Sequence, residues 1–307
     1  MTDADCRRRP MTHGGIRQRG MAVIGALVVV AAVSVITSSL MERQSRLAQT
    51  LAGERDRVQA QWLLRAGLDW ARVVLFDDAR QNAITLGNGL WTRPVHHMEI
   101  PLPGGRTAYF SGYIQDEQSK YNVTRLALNG QVQAQELNTL KKLMRSLQLP
   151  ENLAPLIADH IAQTQQTPLG NPALVPLRQL DDLGRIEGMP ANAISVLADY
   201  LTVLPARTTV NINTARAEVI SASIPELDLA QTREVIMERD NGMWFVNYSD
   251  FYNRLDFREL AHRNQLDVRS QWFSVTGRAT LDNASVAIQA LVHRPRNGLP
   301  EIRWVRH

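Results

Sequence analysis

The sequence predicts an α+β protein in which a long N-terminal transmembrane helix packs on an antiparallel sheet, with a large all-helical insertion. Three observations predict this class. An uncharged run occupies Met21–Met41, and a helical spacing of apolar residues follows it to about Asp77. The apolar period is helical between Val132 and Leu204, whereas alternation typical of strands lies on either side of that stretch.

The uncharged run is long enough to cross a membrane. About 20 residues at ~1.5 Å each span a hydrocarbon core of ~30 Å. Arg17 and Arg19 flank only its N-terminal side, and basic flanks stay cytoplasmic. For a bacterial source, we therefore expect a single-pass inner-membrane protein with a cytoplasmic N-terminus and a periplasmic C-terminal domain.

Gly20 is a small residue placed before the apolar run, whereas a secretory signal has its cleavage site after it. Cutting there leaves the membrane helix on the mature chain. The arrangement resembles type IV prepilin signals, in which a membrane aspartyl peptidase cuts after glycine and methylates the new N-terminus, here Met21. A plain signal anchor is the alternative, and the true start, Met1 or Met11, stays open.

Net charge and cysteine content both look different once the first 20 residues are set apart. The formal charge is +4, but the first 20 residues hold five arginines and two aspartates, so the mature chain carries about +1. A basic pI therefore says little about nucleic acid here. The one cysteine, Cys6, lies in the same head, so the mature chain has neither a disulfide nor thiol chemistry.

After the membrane run the apolar residues recur at intervals of seven and four, which predicts one amphipathic helix to about Asp77. Its stripe consists of Leu40, Leu47, Leu51, Val58, Trp62, Ala66, Trp70 and Val74. Two interpretations stay open, a face packed on the chain's own domain and a face shared with neighbouring subunits, and both can hold on different turns. Gly53 and Gly67 weaken the helix by about 1 kcal/mol each relative to alanine.

The following stretch alternates between loop and strand. Residues 82–105 predict a loop with short extended pieces, because glycine and proline are frequent there. Thr107–Gln115 alternates as a strand should, and a turn over Asp116–Ser119 leads to a second short strand. Four helices are then predicted, at Ala134–Leu147, Leu153–Gln163, Gln179–Ile186 and Ala191–Leu201.

Strands are expected to resume at Thr208–Ile212, which makes the helical module an insertion into a sheet-containing domain. Further helices are predicted at Ala215–Ser221, Leu229–Arg239 and Tyr248–Leu255. The chain closes with a hairpin, in which the turn Asp282-Asn283 joins Gln271–Leu281 to Ala284–Arg294. Ile302–Val305 is a further candidate edge strand.

The order of these features resembles type II secretion system protein K, a family of large minor pseudopilins. The resemblance runs from Met21 to about Arg294. Its most specific pieces are Ile114–Val123 (IQDEQSKYNV), which is similar to the family's xNDEQxKxNxN segment, and Val210–Val219 (VNINTARAEV).

The resemblance implies a pilin-like fold and a non-enzymatic role at the tip of the periplasmic pseudopilus, where such a protein initiates assembly for protein export across the outer membrane. The implied partners are minor pseudopilins of the I and J types, the major pseudopilin, the inner-membrane assembly platform and prepilin peptidase. The implied regions are a leader (1–20), a transmembrane helix (21–41), a pilin-like helix with the first strands (42–131), a SAM-like helical insertion (132–205), and a second helical segment with the last strands (206–307).

Gly25 fits the tip position. Most pilins carry glutamate as the fifth residue after the cut, where its carboxylate pairs with the N-terminal amine of an adjacent subunit. A carboxylate at mid-membrane costs roughly 2.5–3.5 kcal/mol, so it is kept only where it finds such a partner. A subunit without it has no subunit to dock upon.

The sequence departs from the family at a loop associated with calcium. His160–Gln179 contains no carboxylate, whereas calcium takes six to eight oxygens, several of them carboxylate. Asp159, Asp181 and Asp182 flank the loop without a clustered spacing. We therefore expect no cofactor, and no calcium at this loop.

Motifs for catalysis are absent from the sequence. The seven histidines form no metal pattern, and there is no HExxH, CxxC, GxSxG or P-loop. Asp77-Asp78 and Asp181-Asp182 are interpreted as solvated helix ends. The sequons at Asn122, Asn247 and Asn283 carry no meaning in a bacterial protein. We therefore expect that the protein is not an enzyme.

The main alternative is a minor pilin or helix-hairpin-helix protein of a DNA-uptake or type IV pilus system. Val210–Phe245 resembles such a module, which presents backbone N–H groups of a Gly-x-Gly hairpin to phosphate. Here the hairpin, Ile224–Leu229, has no glycine and carries two acids, Glu226 and Asp228. Asp182–Pro190 keeps two glycines without the Gly-x-Gly spacing. Protein contacts are therefore expected rather than nucleic acid.

Overall fold

The computed structural model describes residues 17–165, 170, 172–255, 265–282 and 284–307. The helices are α1 (Arg17–Gln81), α2 (Ala134–Ser146), α3 (Leu153–Gln163), α4 (Ala191–Leu197), α5 (Ala217–Ser223), α6 (Leu229–Asp240) and α7 (Tyr248–Arg254). The long strands are β1 (Val95–Leu102), β2 (Arg106–Asp116), β9 (Trp272–Leu281), β10 (Ala284–His293) and β11 (Glu301–Arg306). Six two-residue strands lie between them: β3 (Tyr121–Asn122), β4 (Ala127–Leu128), β5 (Gln131–Val132), β6 (Leu201–Thr202), β7 (Val210–Asn211) and β8 (Leu266–Asp267).

The chain divides into two compact units, Met1–Val58 and Gln59–His307. In the first unit the described residues all belong to α1, and every described side chain from Met21 to Val58 is exposed except Asp56. Here α1 is long and apolar enough to cross a membrane, with a mean hydropathy of 2.5 over its best 18 residues. By length and composition, this is a candidate single-pass anchor.

The second unit is built on a five-stranded antiparallel sheet in the order β1-β2-β9-β10-β11. β9 and β10 form the predicted hairpin, with Leu281 opposite Ala284. Asn283 of its turn lies outside the described residues. Because β2 pairs directly with β9, residues 117–271 form an excursion between neighbouring strands. The antiparallel sheet and the long helix confirm the predicted α+β class.

The C-terminal half of α1 covers one face of this sheet. Ala60, Leu64, Leu68, Ala71 and Leu75 are buried in one cluster with residues of β9 and β10. The four-, four-, three- and four-residue spacing places them on one side of the helix. This face defines the packing of α1 within the second unit.

A close approach between α1 and β2 explains Gly67. A Cβ atom at Gly67 would lie 2.5 Å from the ring of Phe110. The sequence indicated only a weak point in the helix at this glycine. The structure gives it a packing role, because the aromatic ring occupies the space that a side chain would need.

The excursion forms its own hydrophobic core. That core contains side chains from α2, α3, α4, α5, α6 and α7 and includes Leu143, Ile157 and Phe251, all fully buried. Predicted helices at 134–147, 153–163, 229–239 and 248–255 are present within two residues of the predicted ends. The helix predicted at Gln179–Ile186 is a 3-10 helix, Leu180–Arg185.

Three sequence predictions about strands and helix ends need correction. A strand does lie within Thr208–Ile212, as β7, but it pairs in parallel with β8 in a separate two-stranded sheet and not with the large sheet. α4 ends at Leu197 rather than Leu201, since Leu201–Thr202 forms β6 beside β3. The loop predicted at 82–105 contains the eight-residue edge strand β1. A bulge at His96 and His97 and a proline, Pro101, hide its alternation.

Candidate functional site

Gly20 and Met21, the residues of the predicted cut, lie within α1, which begins at Arg17. Met21 is exposed. A Cβ atom at Gly25 would have no neighbour within 4 Å among the described residues. The chain's own packing therefore leaves room for a larger side chain at Gly25, so its small size has no steric cause within this chain.

The apolar stripe that the sequence predicted is mostly exposed, so of the two interpretations left open, packing on the chain's own domain holds only at Val74. In the first unit Leu47, Leu51 and Val58 are exposed. In the second unit Trp62 is 63% exposed and Trp70 48%. The buried stripe runs instead through Ala60, Leu64 and Leu68. Of the predicted stripe beyond Val58, only Val74 is buried.

The exposed stripe of the second unit consists of Trp62, Ala66, Trp70 and Val73, and we call it the free face. Its four-, four- and three-residue spacing places these side chains along one side of the helix, opposite the sheet. Arg65 stacks its guanidinium 5.3 Å from the Trp62 ring, which leaves a charged border beside the aromatic surface. Two largely exposed tryptophans on one helical stripe indicate a protein-contact surface.

The two sequence segments most specific to the resemblance meet in a buried polar cluster, which we call the hub. Asp116 at the end of β2 accepts hydrogen bonds from Ser270 Oγ (2.5 Å), Thr214 Oγ1 (2.6 Å) and the Gln118 backbone N–H (2.8 Å). Asn211 Nδ2 adds a fourth, at 3.3 Å. Burial raises the pKa of Asp116, and the bonds from Ser270 and Thr214 oppose that rise.

The asparagines of the VNIN segment hold irregular backbone in place. Asn211 Nδ2 donates to Thr85 O (3.2 Å) and to Ser270 Oγ (2.8 Å). Asn213 forms a two-bond clamp on Phe245, donating to its carbonyl and accepting from its N–H, both at 2.9 Å. Loops leave backbone groups unpaired, so buried amide side chains must satisfy them. Neither Asn213 nor Thr214 caps the following helix, because α5 begins at Ala217 with Arg216 as its N-cap.

Polar side chains of the IQDEQSKYNV segment also form hydrogen bonds with groups far away in the sequence. Gln118 donates to Thr209 O (3.0 Å) and accepts from Gln271 N–H (2.7 Å). Glu117 accepts from Thr202 Oγ1 at 2.6 Å, and Asn122 donates to Ala206 O at 2.7 Å. The turn predicted over 116–119 is therefore a junction that ties β2 to the excursion and to the start of β9.

A buried ion pair completes the hub at the end of α1. Arg294 donates to Asp78 Oδ2 (2.7 Å), to Thr85 Oγ1 (2.6 Å) and to Ser270 O (2.9 Å), and the side chains of both charged residues are 7% exposed. The sequence interpretation of Asp78 as a solvated helix end was wrong. Asp182, also expected to be solvated, is buried and accepts from Arg178 N–H at 2.8 Å.

The hub is a structural junction. Asp116 is 3% exposed and accepts four hydrogen bonds, which tie the end of β2 to residues 211, 214 and 270. Across the described ranges, no three His, Cys, Asp or Glu side chains lie close enough to hold a metal ion. Residues 166–169 and 171 of the loop considered for calcium lie outside those ranges.

Comparisons with known proteins agree with the resemblance. Residues 210–276 match the family model of the type II secretion system (T2SS), protein K. Three relatives named type II secretion system protein K align over nearly the whole chain. The Klebsiella pneumoniae protein is 25% identical to this chain, and the alignment covers 91% of this chain and 93% of that protein. For the Pseudomonas aeruginosa protein the identity is 23%, with 92% of this chain and 90% of that protein aligned. For the Pectobacterium carotovorum protein the identity is 22%, with 90% of this chain and 93% of that protein aligned.

A solved structure has the same fold. A chain in the crystal structure of the GspK-GspI-GspJ complex from the enterotoxigenic Escherichia coli type 2 secretion system matches with a TM-score of 0.65. It is 19% identical and covers 82% of this chain and 97% of its own length. The sequence relatives confirm the predicted resemblance to type II secretion system protein K, and the solved structure shows the same fold.

Proposed function

We propose that this chain is a non-enzymatic minor pseudopilin that initiates and caps the periplasmic pseudopilus of a type II secretion system. The observation that carries this proposal is the free face of α1. The sheet covers one side of the helix, while Trp62, Ala66, Trp70 and Val73 stay open on the other side. An apolar helical stripe of this kind is suited to pack against the helix of another subunit.

The partners proposed are minor pseudopilins of the I and J types, followed by the major pseudopilin and the inner-membrane assembly platform. The structural neighbour comes from a GspK-GspI-GspJ complex, which supports the first two. Met21–Met41 anchors the subunit in the inner membrane until the free face finds its partners. The helical excursion then adds bulk that hinders further subunits from stacking above it.

Processing follows the same proposal. Prepilin peptidase removes residues 1–20 and methylates Met21, which leaves the N-terminus on the cytoplasmic side. Replacing Gly20 with leucine is expected to block the cut, because a bulky side chain does not fit a site that selects glycine. Intact-mass measurement of the membrane protein, co-expressed with the peptidase, checks this. A mature Met21 N-terminus from the Gly20→Leu variant would contradict it.

The function itself is tested by assembly. The full chain, co-expressed with the minor pseudopilins of its own secretion locus, is extracted in detergent and purified through a C-terminal tag. The proposal expects a stoichiometric complex with the I-type and J-type proteins. Recovery of the tagged chain alone, under conditions where the I-type and J-type proteins purify together, would contradict it.

A nucleic-acid role is the competing function, and the proposal excludes it. A gel-shift assay of the purified full chain separates the two. The proposal expects no binding of DNA above background at physiological salt, whereas a DNA-binding protein would bind with a steep salt dependence.

A further inference from the structure

The hairpin between α5 and α6 directs three backbone carbonyls at one point. Lys142 of α2 occupies that point, and its Nζ donates to Leu227 O at 2.7 Å, Ile224 O at 2.8 Å and Pro225 O at 3.1 Å. A lysine ammonium has three N–H donors, so all three are used on this hairpin. The side chain thus fills a cradle made almost entirely of carbonyl oxygen.

Hydrogen bonds within the hairpin and from the end of α5 fix the turn that presents these carbonyls. Leu227 N–H donates to Ile224 O at 3.2 Å, Ile224 N–H donates to Ser221 O at 3.3 Å, and Pro225 has no N–H. Ser221 Oγ also donates to Leu227 O at 2.9 Å. Ile224 O and Leu227 O therefore each accept one hydrogen bond within this region and a second from Lys142, whose third bond goes to Pro225 O.

Nearby charges make the cradle attractive to cations. Burial lowers the pKa of Lys142, and the carboxylates of Glu226 and Asp228 oppose that shift while Arg145 adds to it. Converging carbonyl oxygens replace the hydration shell of weakly hydrated monovalent ions such as potassium. An ammonium group is close to potassium in size and presents the same single charge.

We propose that this hairpin is a monovalent-cation site whose ion is supplied by the chain itself, and that a chain with Lys142 shortened binds potassium or ammonium there. The tethered ion joins α2 to the α5–α6 hairpin without any requirement for ions from solution.

Thermal unfolding of the full chain in detergent tests the site. The Lys142→Ala variant in choline chloride should unfold on the order of 5 °C below the parent chain, since it leaves three carbonyls without their charged donor. Replacing choline with potassium or ammonium at equal ionic strength should restore at least half of that shift, with saturation. The parent chain should show the same midpoint in all three salts.

Two further variants keep the test decisive. Lys142→Met fills the path of the lysine stem without a charge, so it should lose stability and gain nothing from potassium. Lys141→Ala, the neighbouring lysine on α2, should match the parent in every salt. The proposal is overturned if Lys142→Ala is as stable as the parent in choline, or if potassium and ammonium restore no more than choline. If Lys142→Ala does not fold, a potassium response of Lys142→Met would overturn it.

Discussion

Arg294 offers the sharpest test of how the hub holds the second unit together. The Arg294→Met variant keeps the apolar length of the side chain but leaves Asp78 buried without its counter-charge. It also removes the donors to Thr85 Oγ1 and Ser270 O. Breaking a buried, hydrogen-bonded ion pair from one side costs roughly 3–5 kcal/mol. Arg303, whose pair with Glu301 at 3.4 Å is largely exposed, provides the control.

Urea unfolding of the full chain in detergent, followed by tryptophan fluorescence, measures this cost. At a slope of about 2–3 kcal/mol per M, the Arg294→Met midpoint should fall by about 1–2.5 M. The Arg303→Met variant should change the free energy of unfolding by roughly 0–1 kcal/mol. Adding Asp78→Asn to Arg294→Met removes the stranded charge and should recover part of the loss. Equal midpoints for Arg294→Met and Arg303→Met would refute the role of the hub.

Two other predictions concern packing and pH. Gly67→Ala should lower the free energy of unfolding by about 1–3 kcal/mol, because the added Cβ meets the Phe110 ring. Gly53→Ala is the control and should cost nothing, because its Cβ would have no neighbour within 4 Å. Equal denaturation midpoints for the two variants would contradict this. Burial lowers the pKa of His160, so the unfolded chain takes up a proton first and stability falls as pH drops below about 6.5. A His160→Leu variant should therefore lose less stability between pH 7 and pH 5, and an unchanged pH dependence would contradict the assignment.

Periodicity was sufficient where a segment is long and its pattern local. Ala134–Leu147, Leu153–Gln163 and the closing hairpin follow from apolar spacing alone, and the structure places them within a residue or two. β1 could not be found this way. As an edge strand it buries neither face fully, and its bulge breaks the alternation.

Spacing also could not tell which side of α1 is buried. Both sides carry an apolar stripe, and the larger residues, Trp62 and Trp70, form the exposed one. The sheet-facing stripe includes small residues, Ala60 and Ala71, which let the helix approach the strands closely. The size of the apolar residues therefore does not indicate which face is buried. Only the position of the sheet resolves the choice.

Local sequence patterns could not predict the hub, because its contacts join residues that are far apart in the sequence. Asp116 meets Ser270 across 154 residues of sequence, and Arg294 meets Asp78 across 216. Each residue alone resembles an ordinary turn or helix end. The family resemblance marked the segments around Asp116 and Asn211 but indicated no contact between them, and nothing in the sequence marked Arg294 or Thr85.

The free face is the central claim, and co-purification with a matched pair of variants tests it most directly. Trp62→Ala combined with Trp70→Ala removes the largest exposed side chains of that face, whereas Met237→Ala combined with Met243→Ala removes exposed apolar side chains elsewhere. Buried tryptophans at protein interfaces contribute about 2 kcal/mol or more each. The account predicts at least a tenfold loss of co-purified minor pseudopilins for the tryptophan pair and little change for the methionine pair. Full recovery of the complex with the tryptophan pair would contradict it.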